Sequence, residues 1–148
     1  MLKGIISGVI GNFVYSSLIK FINLFRPHTK SVFEKVLGSW IGHTVQTTDV
    51  SGKDVIVDLK VDFHWTISGI GGKAIVTGRG EPVCVKIKGN INKANYFVLE
   101  YFNTDNLTNF GNMILSLNSN GDKLQGVLIG FGNVSDKFIY GRTELKRS

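Results

Sequence analysis

Between Val55 and Ile67 every odd position is apolar and, after Ile56, every even position is polar. A repeat of two belongs to a strand with one buried and one wetted face, because successive side chains leave the backbone on opposite sides. The rest of the chain after Leu37 follows the same grammar. Ser39–Thr48 forms a first strand, Ser51-Gly52-Lys53-Asp54 a turn, and further strands are expected at 73–80, 83–89, 95–103, 112–118, 123–132 and 137–147. With the strand at 55–67 these make eight, and the connections are short except for Thr104–Gly111. Short connections favour an up-and-down meander over a sandwich, whose crossings need longer loops. Closing the meander into a barrel pairs both edge strands. The expected fold is therefore all-β, an eight-stranded up-and-down barrel over 38–148, preceded by an N-terminal hydrophobic helix.

That helix is expected over residues 1–25. Leu2, Ile5, Ile6, Val9, Ile10, Phe13, Val14, Leu18, Phe21, Ile22 and Phe25 recur at the three-and-four spacing of one helical face. The run is close to the roughly 20 residues that a bilayer crossing needs. Gly4, Gly8 and Gly11 lie on the other face at a spacing that lets helices approach closely in lipid. They are the candidate helix–helix packing positions of a homo-oligomer. A secretory signal would require a small-residue cleavage site, where the sequence has Ile19-Lys20-Phe21-Ile22-Asn23. The alternative is an amphipathic helix lying in the interface or docked on protein, since Asn12, Ser16, Lys20 and Asn23 interrupt the apolarity.

The formal charge of +6 is concentrated early, in Lys3, Lys20, Arg26, Lys30 and Lys35 against Glu34. Basic residues flanking an apolar helix suit an anionic cytoplasmic leaflet, with residues 26–37 as a basic linker or short helix and the barrel in the cytosol. Charge so placed argues against a nucleic-acid polymer as partner. The lone Cys84 has no disulfide partner within the chain. His43 and His64 lack ligand partners at metal spacing, and no phosphate loop, nucleophile elbow or carboxylate pair stands out. No cofactor and no enzymatic activity are expected.

Glycines 42, 78, 80, 126, 130, 132 and 141 fall inside expected strands, where they weaken a sheet unless it bends sharply or something approaches closely. Gly38-Ser39-Trp40 on the first strand, with Arg142 or Arg147 on the last, resembles the lipocalin signature, in which a tryptophan plugs the closed barrel end beneath an arginine.

The whole arrangement carries a second resemblance. The hydrophobic segment, the basic linker, Leu37-Gly38-Ser39-Trp40-Ile41-Gly42, the stretch Tyr96–Tyr101, Lys123-Leu124-Gln125-Gly126 and Gly141–Arg147 together look like the membrane-anchored β-barrel effectors of bacterial CBASS anti-phage defence. Those effectors join a two-helix transmembrane unit to a minimal eight-stranded barrel that binds a cyclic oligonucleotide. This chain has room for one spanning helix. The resemblance implies a bacterial inner-membrane protein that oligomerises on binding its messenger and disrupts the membrane.

A cyclic dinucleotide offers bases to stack and phosphodiesters to neutralise, so its site combines aromatic faces, cations and amide or hydroxyl groups. With the first strand running upward from Trp40, residues Gln46, Thr48, Arg79, Tyr101 and Asn103 reach one rim, and Arg142 is added from the last strand. Trp40 and Trp65 fall at the opposite end. The alternative function is a membrane-associated, lipocalin-like carrier of a lipid or other apolar ligand. A nucleotide sponge with the same cavity is a third.

Overall fold

The computed structural model describes residues 27–48, 54–78, 80–91, 96–103, 110–132 and 137–148. The chain divides into two compact units, Met1–Glu34 and Lys35–Ser148. One α-helix, α1 (Pro27–Val36), starts on a proline, whose fixed φ and missing N–H suit a first helical turn. It occupies most of the stretch read as a basic linker. The expected segment 1–25, with Gly4, Gly8 and Gly11, lies outside the described residues. Among those described, no helix is long and apolar enough to cross a membrane.

The second unit is a closed antiparallel barrel of eight strands: β1 (Gly38–Thr48), β2 (Asp54–Thr66), β3 (Gly69–Thr77), β4 (Val83–Ile91), β5 (Tyr96–Asn103), β6 (Phe110–Leu117), β7 (Lys123–Gly132) and β8 (Lys137–Arg147). Each strand pairs with its neighbour in sequence, and β8 returns to β1 from Trp40↔Arg147 to Thr48↔Ile139. Closure leaves no exposed ladder edge. It also sorts side chains cleanly. Val57, Leu59, Val61 and Phe63 of β2 are buried while Asp58, Lys60, Asp62 and His64 between them are exposed.

Strand limits match the sequence reading to within two residues except at β3, which starts at Gly69 rather than 73 and ends at Thr77 rather than 80. Gly69-Ile70-Gly71-Gly72 reads as a turn on composition, yet these residues pair with Phe63–Thr66 across a hairpin of only Ile67 and Ser68. Gly78 and Gly80, expected in that strand, belong instead to the β3–β4 connection. The bending expected at glycine is seen at Gly42 and Gly126. A Cβ there would stand 1.9 Å from the Glu144 carbonyl oxygen and 1.8 Å from that of Ile114. The neighbouring backbone has moved into the space a side chain would fill, which is how a small barrel turns its corners.

One end of the barrel is plugged. Trp40 is fully buried, and its indole N–H donates to the Val36 carbonyl at 2.7 Å. The Arg147 guanidinium lies 4.8 Å from the Trp40 ring centre and donates to the carbonyls of Leu37, at 3.2 Å, and Lys35. The arginine thus ties the chain entering β1 to the end of β8 across the tryptophan face. Ile70, Phe97, Leu115, Leu124 and Leu145 are as fully buried as Trp40. Of the two arginines offered by the sequence for the lipocalin-type arrangement, Arg147 occupies it. At the same end, the Asn118 side-chain carbonyl accepts from the backbone N–H groups of Asp122 and Lys123, closing the β6–β7 turn.

Trp40→Ala should lower unfolding free energy by about 3–5 kcal/mol, the usual cost of emptying a large aromatic site. Arg147→Ala should cost less, roughly 1–2 kcal/mol, because it loses one cation–π contact and two hydrogen bonds at the surface. Urea unfolding of both variants checks the order.

Candidate functional site

The interior is graded along the barrel axis. Trp40, Ile70, Phe97, Leu115, Leu124 and Leu145 are 0–1 % exposed, whereas Val57, Tyr101, Leu128, Ile139 and Asn103 toward the other end retain 6–8 %. The small residual access is concentrated in the half of the lumen far from the plug. At that end lie the β1–β2, β3–β4, β5–β6 and β7–β8 connections, which the up-and-down order brings together.

Four polar features interrupt the apolar lining there. The hydroxyls of Thr44 and Thr143, both buried, hydrogen-bond to each other at 2.9 Å across the β1–β8 seam. Gln46 lies one inward position further up β1, in register with Val55 and Gly141. Asn103 is buried at the top of β5, the strand half-way round the ring from β1. Below it is Tyr101, also buried, whose hydroxyl makes no hydrogen bond.

The position of Tyr101 is built by glycine. Tyr101, Gly111, Gly130 and Ile139 stand in one row across β5 to β8. A Cβ on Gly111 or Gly130 would come within 2.4 or 2.0 Å of the phenol oxygen. The ring therefore lies along the wall over two residues that have no side chains. Burial pushes the phenol up to about 12, so it is a neutral hydrogen-bond donor at physiological pH. An orphaned buried hydroxyl carries a desolvation cost, typically about 1–3 kcal/mol, that a ligand acceptor can relieve.

The other sequence candidates are distributed as follows. Gln46, Tyr101 and Asn103 face the lumen in its open half. Thr48 pairs through its backbone with Ile139 at the same end, while its side chain lies outside the description. Arg79, between β3 and β4 in sequence, lies outside the described residues. Arg142 does not join them. It is exposed on the outer wall, because Gly141 and Thr143 on either side take the inward positions. The alternation of β8 is obscured by Gly141 and Thr143, which are too small or polar to mark a buried face. Cys84, between Val83 and Val85 on β4, also points outward and is exposed.

Two parts of the site were missed. The Thr44–Thr143 pair has no signature beyond two threonines separated by most of the chain. Of the Tyr101 cradle the sequence shows only Gly130 inside an expected strand, with Gly111 in the expected long connection, so their meeting in one row is not legible from it. Among the described residues with described side chains, no charged group faces the open half of the lumen. None form a cluster able to hold a metal. An outer depression of about 640 Å³ between β8, β1, β2 and β3 holds His43, Asp58, Lys60 and Glu144, but it is a wide surface saddle. Glu144 is held below the usual carboxylate range by its hydrogen bond from Lys123, at 3.0 Å.

No protein-family model and no curated protein matches this chain. Among solved structures it is similar to a redesigned β-barrel at 15% identity and TM-score 0.60, covering 79% of this chain and 95% of that one. It is similar to EF1p2_mFAP2b bound to DFHBI at 9% identity and TM-score 0.62, over 81% of this chain and 99% of that one. A third likeness is to the S-type phycobiliprotein lyase CPES of Guillardia theta, at 10% identity and TM-score 0.54, over 80% and 92%. At these identities the likeness shows the fold, an eight-stranded closed antiparallel β-barrel.

Tyr101→Phe removes the unpaired hydroxyl and should raise stability of the ligand-free chain, by about 1 kcal/mol from the desolvation cost relieved. The wild type should also lose stability as pH rises from 10 toward 12, because the unfolded phenol ionises there while the folded one stays protonated. Tyr101→Phe should lack that part of the alkaline loss. Urea unfolding at pH 8 and pH 11 checks both signs.

Proposed function

We propose that this chain is a non-enzymatic small-molecule-binding barrel that takes a mainly apolar, neutral ligand with a hydrogen-bonding group into the open half of its lumen. The observation that carries this is the orphaned Tyr101 hydroxyl, set in an apolar wall with Gln46 and Asn103 toward the mouth. Ligand sites are predominantly apolar with a few convergent polar groups, and this half of the lumen has that composition. The threonine pair is already satisfied and needs no ligand. A barrel of the same fold is bound to DFHBI, which accords with a ligand held by this architecture.

A second reading keeps the cyclic-oligonucleotide effector of anti-phage defence. Its support is the pairing of two amide side chains, Gln46 and Asn103, with the aromatic Tyr101 toward one mouth. Two phosphodiesters need cations, and Arg142 is on the outside. This reading therefore depends on Arg79, between β3 and β4 in sequence. It also depends on residues 1–25 acting in the inner membrane, and on Gly4, Gly8 and Gly11 joining protomers there.

Native mass spectrometry of the full chain extracted from cells separates the two, a copurifying apolar molecule favouring the first and a nucleotide the second. In thermal unfolding, the neutral apolar probe 1-aminoanthracene should stabilise the chain, by about 2.7 kcal/mol at a hundredfold excess over Kd. Asn103→Leu should weaken the binding of a ligand that reaches the rim. If cyclic dinucleotides stabilise the chain, the probe does not, and Arg79→Ala removes the effect, the effector reading replaces the carrier.

A further inference from the structure

The outer wall of the barrel is uneven. On β2 to β5 it carries Asp58, Lys60, Asp62, Lys73, Lys86, Lys88 and Glu100, all exposed, among exposed apolar side chains such as Ile56, Ile75 and Val98. On β6 to β8 the exposed apolar side chains are gathered into rows. Phe110, Phe131 and Phe138 form one cross-strand row, with Phe110 and Phe131 stacked at 6.1 Å and Phe131 edge-on to Phe138 at 5.5 Å. Ile129 and Tyr140 form the next row, and Ile114 and Val127 the one after. Ile129, Phe138 and Tyr140 are more than half exposed. Scattered exposed apolar residues are ordinary, whereas adjoining rows on three neighbouring strands mark an interaction surface.

Charge decides what covers it. Among the described residues of this face the cations are Lys123, Arg142 and Lys146, and the one acid, Glu144, is paired with Lys123. Arg142 sits within the apolar rows, in register with Val127 and Val45 and with no carboxylate opposite. A second copy laid face to face would bury two such guanidiniums without partners, at a high desolvation cost. An anionic lipid surface accepts the same face. Aromatic and aliphatic side chains enter the acyl boundary while arginine and lysine reach the headgroups. From this geometry we infer that the β6–β8 wall docks the barrel side-on against an anionic lipid surface, independently of what occupies the lumen.

The test must report on the face, because the apolar segment at 4–25 could hold the full chain on vesicles by itself. In the full chain, an environment-sensitive fluorophore is placed either on the native Cys84, which is exposed on β4, or on Ile129→Cys in a Cys84→Ser background. The vesicles are phosphatidylcholine with a minority of phosphatidylglycerol and a quencher on the acyl chain. Side-on docking predicts a blue shift and quenching at position 129 and neither at Cys84. On saturating vesicles, Arg142→Glu should shift the docked-to-undocked ratio, read from the quenching at position 129, roughly tenfold or more toward undocked, given about 1 kcal/mol per basic residue at an anionic surface. Quenching at both positions, or at neither, overturns the inference. A concentration-dependent shift at 129 without vesicles, with a dimer mass in solution, would show that a second copy covers the face and would also overturn it.

Discussion

The ladder between β1 and β8 is the constraint on which the rest depends. Once Trp40 is held opposite Arg147 and Thr48 opposite Ile139, the side of every other side chain follows from alternation alone. Trp40 must then enter the lumen at one end, and Arg147 reaches over it to the carbonyls of the incoming chain. Gln46 enters the lumen at the other end. A one-residue slip of this seam would exchange lumen and surface throughout β1.

Closure also explains why the barrel has a dry end and a permissive end. Around Trp40 the inward positions are large: Phe97, Ile70, Leu115, Leu124 and Leu145 fill the cross-section. Toward the mouth the rows include Gly141, Gly130 and Gly111, with the Tyr101 ring lying over the last two and Thr44 and the β1 backbone against the first. Ligand capacity in this reading comes from small residues on β6 to β8, not from a wider ring. The same strands carry the aromatic rows on their outer side, so small inward residues and large outward ones reverse the distribution seen on β2. Few interior side chains mark β7 and β8 as core strands, which is why their alternation is hard to read.

The sequence revealed the ring and most of its strands because β2 alternates strictly and because turn residues and short connections mark off the rest. It revealed the plugged end through Trp40. It placed Gln46, Tyr101 and Asn103 toward one mouth because strand direction alternates in a meander and all three lie near the tops of their strands. It failed at Arg142 for one physical reason. Where inward neighbours are glycine, threonine or a short aliphatic, hydropathy does not distinguish the two faces, and register has to come from pairing across the seam. The orphaned hydroxyl of Tyr101 was beyond sequence reading altogether, since it depends on Gly111 and Gly130 meeting in one row from separate strands.

The central claim is that the lumen above the threonine pair, and not the outer wall, receives the ligand. Methyl-resolved NMR during titration with 1-aminoanthracene tests it most directly. Ring-current shifts should appear at Val57, Leu128 and Ile139 and be absent at Leu115, Leu124 and Leu145 around the plug. Shifts confined to Ile114, Val127 and Ile129 on the outside, or no shift at any methyl, would contradict it.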